Sequence, residues 1–231
     1  MSAQDDPRIA GLAAVSGADR FEIWAQILRD EAARSVLELG VWCGEFAAAV
    51  LAAAPLIERY YMIDPWRPLE SWNKPLNVTT AEFDGALART MAATDFASSR
   101  RTILRGTTLE VIDSIPDGAL DVAYIDADHT LRGIAIDLIS VWPKVRPGGI
   151  VGGDDYTASI WQHPDSYEPT LVCPFAAYFA EAQRAPLIIL PHNQFVIVKP
   201  AGAGGHFRVI DATQSYGPRE LLGQVRKPAS V

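Results

Sequence analysis

The residues best equipped for chemistry are acidic: Asp126 in the run YIDADH, and the adjacent pair Asp154 and Asp155 in GGDDY. Three carboxylates brought together offer hard oxygen donors, a set that suits Mg²⁺, Mn²⁺ or Ca²⁺ better than zinc. Without a counter-charge they would repel one another and raise a pKa. His129 follows Asp126 by three residues, and an imidazole titrating near neutrality can take a proton from a hydroxyl that a metal has acidified. It can equally serve only to orient Asp126 or Asp155. Asp154 and Asp155 can likewise satisfy backbone N–H groups of a loop, and Asp128 can cap a helix beginning near Thr130. The expectation is a divalent ion, Mg²⁺ first, on Asp126, Asp154 and Asp155, with His129 and Asp126 as the catalytic residues.

A second set lies upstream, in VLELGVWCGEFAAAVL (residues 36–51). Gly40 and Gly44 sit between a short apolar run and an alanine-rich one. A glycine-bearing turn from strand to helix lets backbone approach a ligand, and the helix start supplies free N–H groups. The spacing is not the G-x-G-x-x-G of a dinucleotide turn, because Val41, Trp42 and Cys43 separate the glycines and Trp42 stands where a pyrophosphate needs room. In YYMIDPW, Asp64 ends the next apolar run, where a carboxylate can accept hydrogen bonds from the paired hydroxyls of a ribose. An Asp-Pro turn cap is the plainer alternative.

Those positions need a frame. Strand-sized apolar runs occur at 35–39, 59–63, 101–105, 120–125 and 149–153, with helix-like segments at 45–54, 79–97, 108–114 and 131–142 between them. Regular alternation of this kind predicts a parallel sheet covered by helices on both faces. A helix is expected over 20–33, capped by Asp19, and another over 171–184. The runs PLIIL and QFVIVK are separated only by PHN, too short for a crossover, so they are expected to pair antiparallel. Two long irregular connections, 66–80 and 156–170, follow strand ends where ligands bind in open α/β sheets.

The stretch from Glu38 to Gly44 resembles the first motif of class I S-adenosylmethionine (SAM) dependent methyltransferases, E/D-x-G-x-x-x-G. Further on, IPDGALDVAYIDADHTLRGIAIDLISVWPKVRPGGIVGGDDY resembles small-molecule methyltransferases that read D-x-x-Y-I-D-A-x-H, then D-L, W-x-x-K-x-x-P-G-G and D-Y. The likeness extends to metal-dependent catechol and caffeoyl-coenzyme A O-methyltransferases and to macrolide-sugar O-methyltransferases. The chain departs from the former, which carry Asp-Asn at the second acidic element and Lys in place of His129. Many looser relatives carry His-Asp-Tyr in place of Asp154, Asp155 and Tyr156.

The resemblance implies a Rossmann-like, doubly wound, seven-stranded α/β sheet, mainly parallel with an antiparallel C-terminal strand. It implies that Glu38, Gly40, Val41, Trp42 and Gly44 hold the methionine part of SAM, that Asp64 binds ribose, that a neighbouring residue lines the adenine, with Trp66 the candidate unless it simply covers the core, and that Gly106 and Thr107 contact the adenine end. Asp126 would face both cofactor and metal. The reaction implied is methyl transfer to a small-molecule hydroxyl. Transfer to N or O without a metal, or SAM binding without catalysis, are the alternatives. An NAD-dependent oxidoreductase is disfavoured by the glycine spacing and by the lack of a Tyr-x-x-x-Lys pair. His163 and His192 are substitutes for the base. Trp72, Trp161, Tyr167 and Phe175 are candidates for an aromatic acceptor pocket.

The 231 residues suit one large domain, divided here into a helical segment at 1–34, the methyltransferase domain at 35–200 and a tail at 201–231. A formal charge of −8 argues against a nucleic-acid surface. Cys43 and Cys173 suggest neither a disulfide framework nor a zinc site. Without a leader-like start or a spanning run, a cytoplasmic protein with no membrane contact is expected. Phe21 and Trp24 can serve a homodimer face as readily as a core.

Overall fold

The computed structural model describes residues 6–70 and 72–216; the first five residues and the tail beyond 216 lie outside it. Two N-terminal helices come first, α1 (Pro7–Ala13) and α2 (Arg20–Asp30). Asp19 caps α2 by accepting from the Glu22 N–H at 2.9 Å. Its apolar stripe, Ile23, Trp24, Ile27 and Leu28, is buried. Trp24 therefore belongs to the core of this chain and is not available as a dimer face.

The alternating unit follows: β1 (Ser35–Leu39), α3 (Glu45–Ala53), β2 (Arg59–Asp64), α4 (Thr80–Ala93), β3 (Arg101–Arg105), α5 (Thr108–Val111), β4 (Leu120–Ile125), α6 (Leu131–Val141) and β5 (Val145–Gly153). The chain then forms α7 (Val172–Ala182), β6 (Pro186–Leu190), β7 (Gln194–Val198) and β8 (Arg208–Asp211). The sheet runs β3-β2-β1-β4-β5-β7-β6-β8. Strands β1 to β5 pair in parallel, β7 is antiparallel to both β5 and β6, and β8 is parallel to β6.

Both faces of the inner strands are buried, while the edge strands β3 and β8 are only partly covered, so successive residues of an inner strand enter opposite cores. Val36, Val122 and Tyr124 pack with α1 to α4, whereas Leu37, Leu39, Ala123 and Ile125 pack with α6 and α7. This is why the inner strands read as nearly unbroken apolar runs.

The doubly wound, mainly parallel sheet agrees with the expectation, and β8 extends the expected seven strands to eight. Its four residues, RVID, are only partly buried and follow a glycine-rich run, so no apolar pattern marks them. β5 starts at Val145, before the expected 149, because the Pro147-Gly148-Gly149 segment continues the strand through a register shift opposite Leu120 and Val122. The expected helix at 108–114 is one α-turn continued by a 3₁₀ turn at Ile112–Ser114. Among the described residues no helix is long and apolar enough to cross a membrane.

Candidate active site

A cleft of ≈ 860 Å³ opens at the C-terminal ends of β1 to β5. That is toward the upper end of the roughly 300–1,000 Å³ usual for ligand sites. One half is built on β1 and β2. Gly40 has φ +80°, and a Cβ there would stand 1.9 Å from the Asp126 carbonyl oxygen. Only glycine lets the ends of β1 and β4 approach so closely. Gly44 then starts α3 without a side-chain cap; it packs against Thr90 and does not itself line the cleft, whereas its neighbours Cys43, Glu45 and Phe46 do.

Asp64 latches this turn. Its Oδ2 accepts from the Val41 and Trp42 N–H groups at 3.0 and 2.9 Å, and Oδ1 accepts from the Trp66 N–H at 2.8 Å. Burial pushes its pKa up, and the three backbone donors oppose that. Trp42, Trp66 and Asp155 all have left-handed φ, at 52°, 39° and 60°. Such non-glycine outliers concentrate where a surrounding site holds the backbone in place.

Glu38 faces the cleft yet is buried, accepting from Tyr60 Oη at 2.7 Å, and burial raises its pKa. Gly106 and Thr107 line the same wall beyond β3, with Thr107 donating its N–H to Glu110 at 2.8 Å to start α5. Thr108 donates to buried Asp137 at 2.5 Å, and burial pushes that carboxyl up to about 7. Trp66 is placed elsewhere than expected. It is fully buried beneath the turn, donating Nε1–H to the Trp42 carbonyl at 2.8 Å, and does not line the cleft. The left-handed turn at Trp66 directs the indole inward, where it supports Trp42.

The other half gathers the acids. Asp126 follows β4, and Asp154 and Asp155 follow β5. Asp126 Oδ2 accepts from Arg20 Nη1 at 2.7 Å, and the same nitrogen donates to Asp154 Oδ2. Asp154 Oδ1 accepts from Gln194 Nε2 at 2.6 Å and from the Asp155 N–H at 2.7 Å. Asp155 holds His129 Nδ1 at 2.5 Å and accepts from Gln162 Nε2 at 3.1 Å. His129 Nε2 lies 3.4 Å from Asp126 Oδ1 but is buried with no hydrogen-bond partner.

Burial alone would lower the His129 pKa, but Asp126 and Asp155 outweigh it and hold the imidazole at about 10. Burial and then Asp126 push Asp154 up to about 6. Asp155 is held low because His129 outweighs its burial. Asp126, His129 and Asp155 each present a ligand atom within 4.8 Å of the others; Asp154, expected as the third metal ligand, is not in that group, its oxygens being taken by Arg20, Gln194 and the Asp155 N–H. Carboxylate oxygens from three acids, with a guanidinium drawn between two of them, mark a place that demands positive charge. The donor set fits a hard divalent ion.

The two long connections meet above this half. Trp72 donates Nε1–H to Asp128 at 3.1 Å, and Asn73 and Lys74 donate to the 166–168 backbone at 2.7 Å. Trp72, Asp128, His163 and Glu168 face the cleft, whereas Trp161, Tyr167 and Phe175 do not line it. Neither His192, bonded through Nε2 to Gly17, nor His206 lines it. Arg20, Gln194 and Lys74 were not anticipated from the sequence. Arg20 stands 106 residues from Asp126, and its only local signal is the preceding cap Asp19.

A methyltransferase-domain family profile matches residues 37–156, which spans β1 through the acidic pair. The chain belongs to this family of methyltransferase domains. No curated protein matches the sequence closely. Among solved structures, a Staphylococcus aureus protein provisionally described as a caffeoyl-CoA O-methyltransferase aligns at 14% identity with TM-score 0.59, covering 86% of this chain and 92% of that one. A Bacillus cereus O-methyltransferase in complex with SAH aligns at 15% identity and TM-score 0.53, covering 83% and 86%. The Streptomyces achromogenes O-methyltransferase TomG, in complex with SAM, aligns at 14% identity and TM-score 0.53, covering 84% and 91%. At these identities the likeness establishes the methyltransferase fold.

Proposed function

We propose that this methyltransferase moves a methyl group from SAM to a hydroxyl of a small molecule, phenolic or sugar-like, with a divalent ion, Mg²⁺ first, at Asp126, Asp154 and Asp155. The observation that carries the reading is one cleft joining the Asp64-latched glycine turn to the acids of β4 and β5, with Gly40 packed against Asp126. Neighbours of the same fold hold SAM or SAH and are described as O-methyltransferases, which supports both donor and acceptor type.

Transfer from a sulfonium is an in-line displacement in which the S–CH₃ bond breaks as the O–CH₃ bond forms, so alignment is the first requirement. The Gly40–Gly44 turn and the α3 start hold the methionine end. Asp64 fixes that turn and stands near the ribose, while Gly106 and Thr107 offer backbone to the adenine end. A bound divalent ion would lower the pKa of the acceptor hydroxyl. His129 is oriented by Asp155 at Nδ1 and receives the hydroxyl proton at Nε2, the atom left without a partner. In the ligand-free cleft the imidazole is protonated. Positive charge brought by SAM, and by a divalent ion held at the acids, would lower its pKa and free that nitrogen.

One observation favours a second reading, transfer without a metal: Arg20 already neutralises Asp126 and Asp154.

Calorimetry with SAM, SAH and NAD tests the donor. SAM and SAH should bind and NAD should not; binding of NAD alone would move the assignment to a dehydrogenase. In the same assay Asp64→Ala should weaken SAM by about 1–3 kcal/mol, since a buried carboxylate with three backbone donors is lost from the turn.

A further inference from the structure

Arg20 lies outside the residues matched to the family, yet it reaches the centre of the acidic half. It is the first residue of α2, and that helix is fixed. Ile23, Trp24 and Ile27 have no exposure. The Trp24 ring lies against β5 at Gly152, where a Cβ would meet Cη2 at 2.6 Å, so only glycine admits it. Trp24 Nε1 donates to Gln194 Oε1 at 2.8 Å, and Gln194 in turn donates to Asp154 at 2.6 Å. The helix start is thereby tied to the strand that carries Asp154.

The Arg20 side chain is less confined. It is 32% exposed, lies along the cleft wall and passes 5.4 Å from the centre of the Phe21 ring. Rotation about its own bonds can withdraw the guanidinium while the helix stays in place. Its present position spans Asp126 and Asp154, two of the three carboxylates assigned to the divalent ion. Two cations cannot share those oxygens at close range without strong repulsion.

Building on the cation reading above, we propose that Arg20 is a built-in counter-ion that competes with the divalent ion for Asp126 and Asp154. In the ion-free protein it holds the carboxylates of β4 and β5 together against their mutual repulsion. Ion binding then requires the guanidinium to leave, so part of the intrinsic affinity is spent on breaking two ion pairs. A state of the protein that the ligand must displace lowers apparent affinity by its own stability. Arg20 thus sets the ion concentration at which the acceptor half becomes competent, and it does so from the N-terminal helix.

The test is Mn²⁺ binding to the whole protein, read as free Mn²⁺ by electron paramagnetic resonance and as heat by calorimetry, with no acceptor present. Arg20→Gln should bind Mn²⁺ about tenfold tighter than the parent, equal to roughly 1.4 kcal/mol. Arg20→Lys, which keeps a charge but not the forked reach, should fall between them. Without ion, Arg20→Gln should melt at a lower temperature than the parent and gain more on adding Mn²⁺. A purely structural role for Arg20 would weaken Mn²⁺ binding in both variants. Equal or weaker binding in Arg20→Gln overturns the competition while leaving the ion site standing. If neither parent nor variant binds Mn²⁺, the ion reading falls and the competition with it, whereas SAM binding in the same calorimeter still reports on methyl transfer.

Discussion

Replacing His129 with alanine is expected to slow the methyl-transfer step by about 10²- to 10⁴-fold, the usual contribution of a positioned base. The comparison is a single-turnover measurement with the best acceptor found in a panel of phenols and sugar hydroxyls. SAM affinity should hardly change, because the imidazole lies among the β4 and β5 acids and the cofactor turn is built on β1 and β2. The parent rate should rise with pH as the imidazole loses its proton, and the variant should lack that rise. A second signature belongs to the ion-free protein. The folded His129 pKa, about 10, lies above its ordinary 6.5, so the His129 contacts stabilise fully below pH 6.5. That contribution fades as pH rises through about 10, and melting curves of His129→Gln should lack this dependence. Single-turnover rates within a factor of about three of the parent would reduce His129 to an orienting residue.

Chelation should have an effect of similar size. Removing divalent ions should lower turnover by about two orders of magnitude, the consequence of losing roughly 3 kcal/mol of transition-state stabilisation, and Mg²⁺ should restore it. Asp126→Asn should lose as much and should not be rescued by added Mg²⁺, since Asp126 faces Arg20, His129 and the end of the cofactor turn at once. Full activity in the chelated parent would instead favour the metal-free reading, in which Arg20 and His129 supply the positive charge.

The frame of the fold was legible because strands buried on both faces have to be apolar throughout and the helices between them have to be amphipathic. That reading placed Asp64, Asp126, Asp154 and Asp155 at strand ends, and the structure brings them to one cleft. β8 escaped because four half-buried residues carry no periodicity. Trp66 was read as a loop aromatic near a ligand, but the left-handed turn that buries it depends on Asp64 accepting its N–H, a contact no residue pattern announces. Arg20 escaped for a different reason. A cation at the start of a helix is ordinary, and its link to Asp126 and Asp154 exists only once α2 has packed across β5. Long-range contacts between charged residues leave no local trace.

The most direct measurement is a crystal structure of the protein with SAH and Mn²⁺, phased to show the anomalous signal of the ion. SAH should lie along the ends of β1, β2 and β3 with its sulfur directed at the acidic half. An anomalous peak should sit among Asp126, Asp154 and Asp155, and Arg20 should be turned away from them. SAH directed away from these acids, or no anomalous peak with Arg20 still bridging Asp126 and Asp154, would contradict metal-assisted methyl transfer at this site.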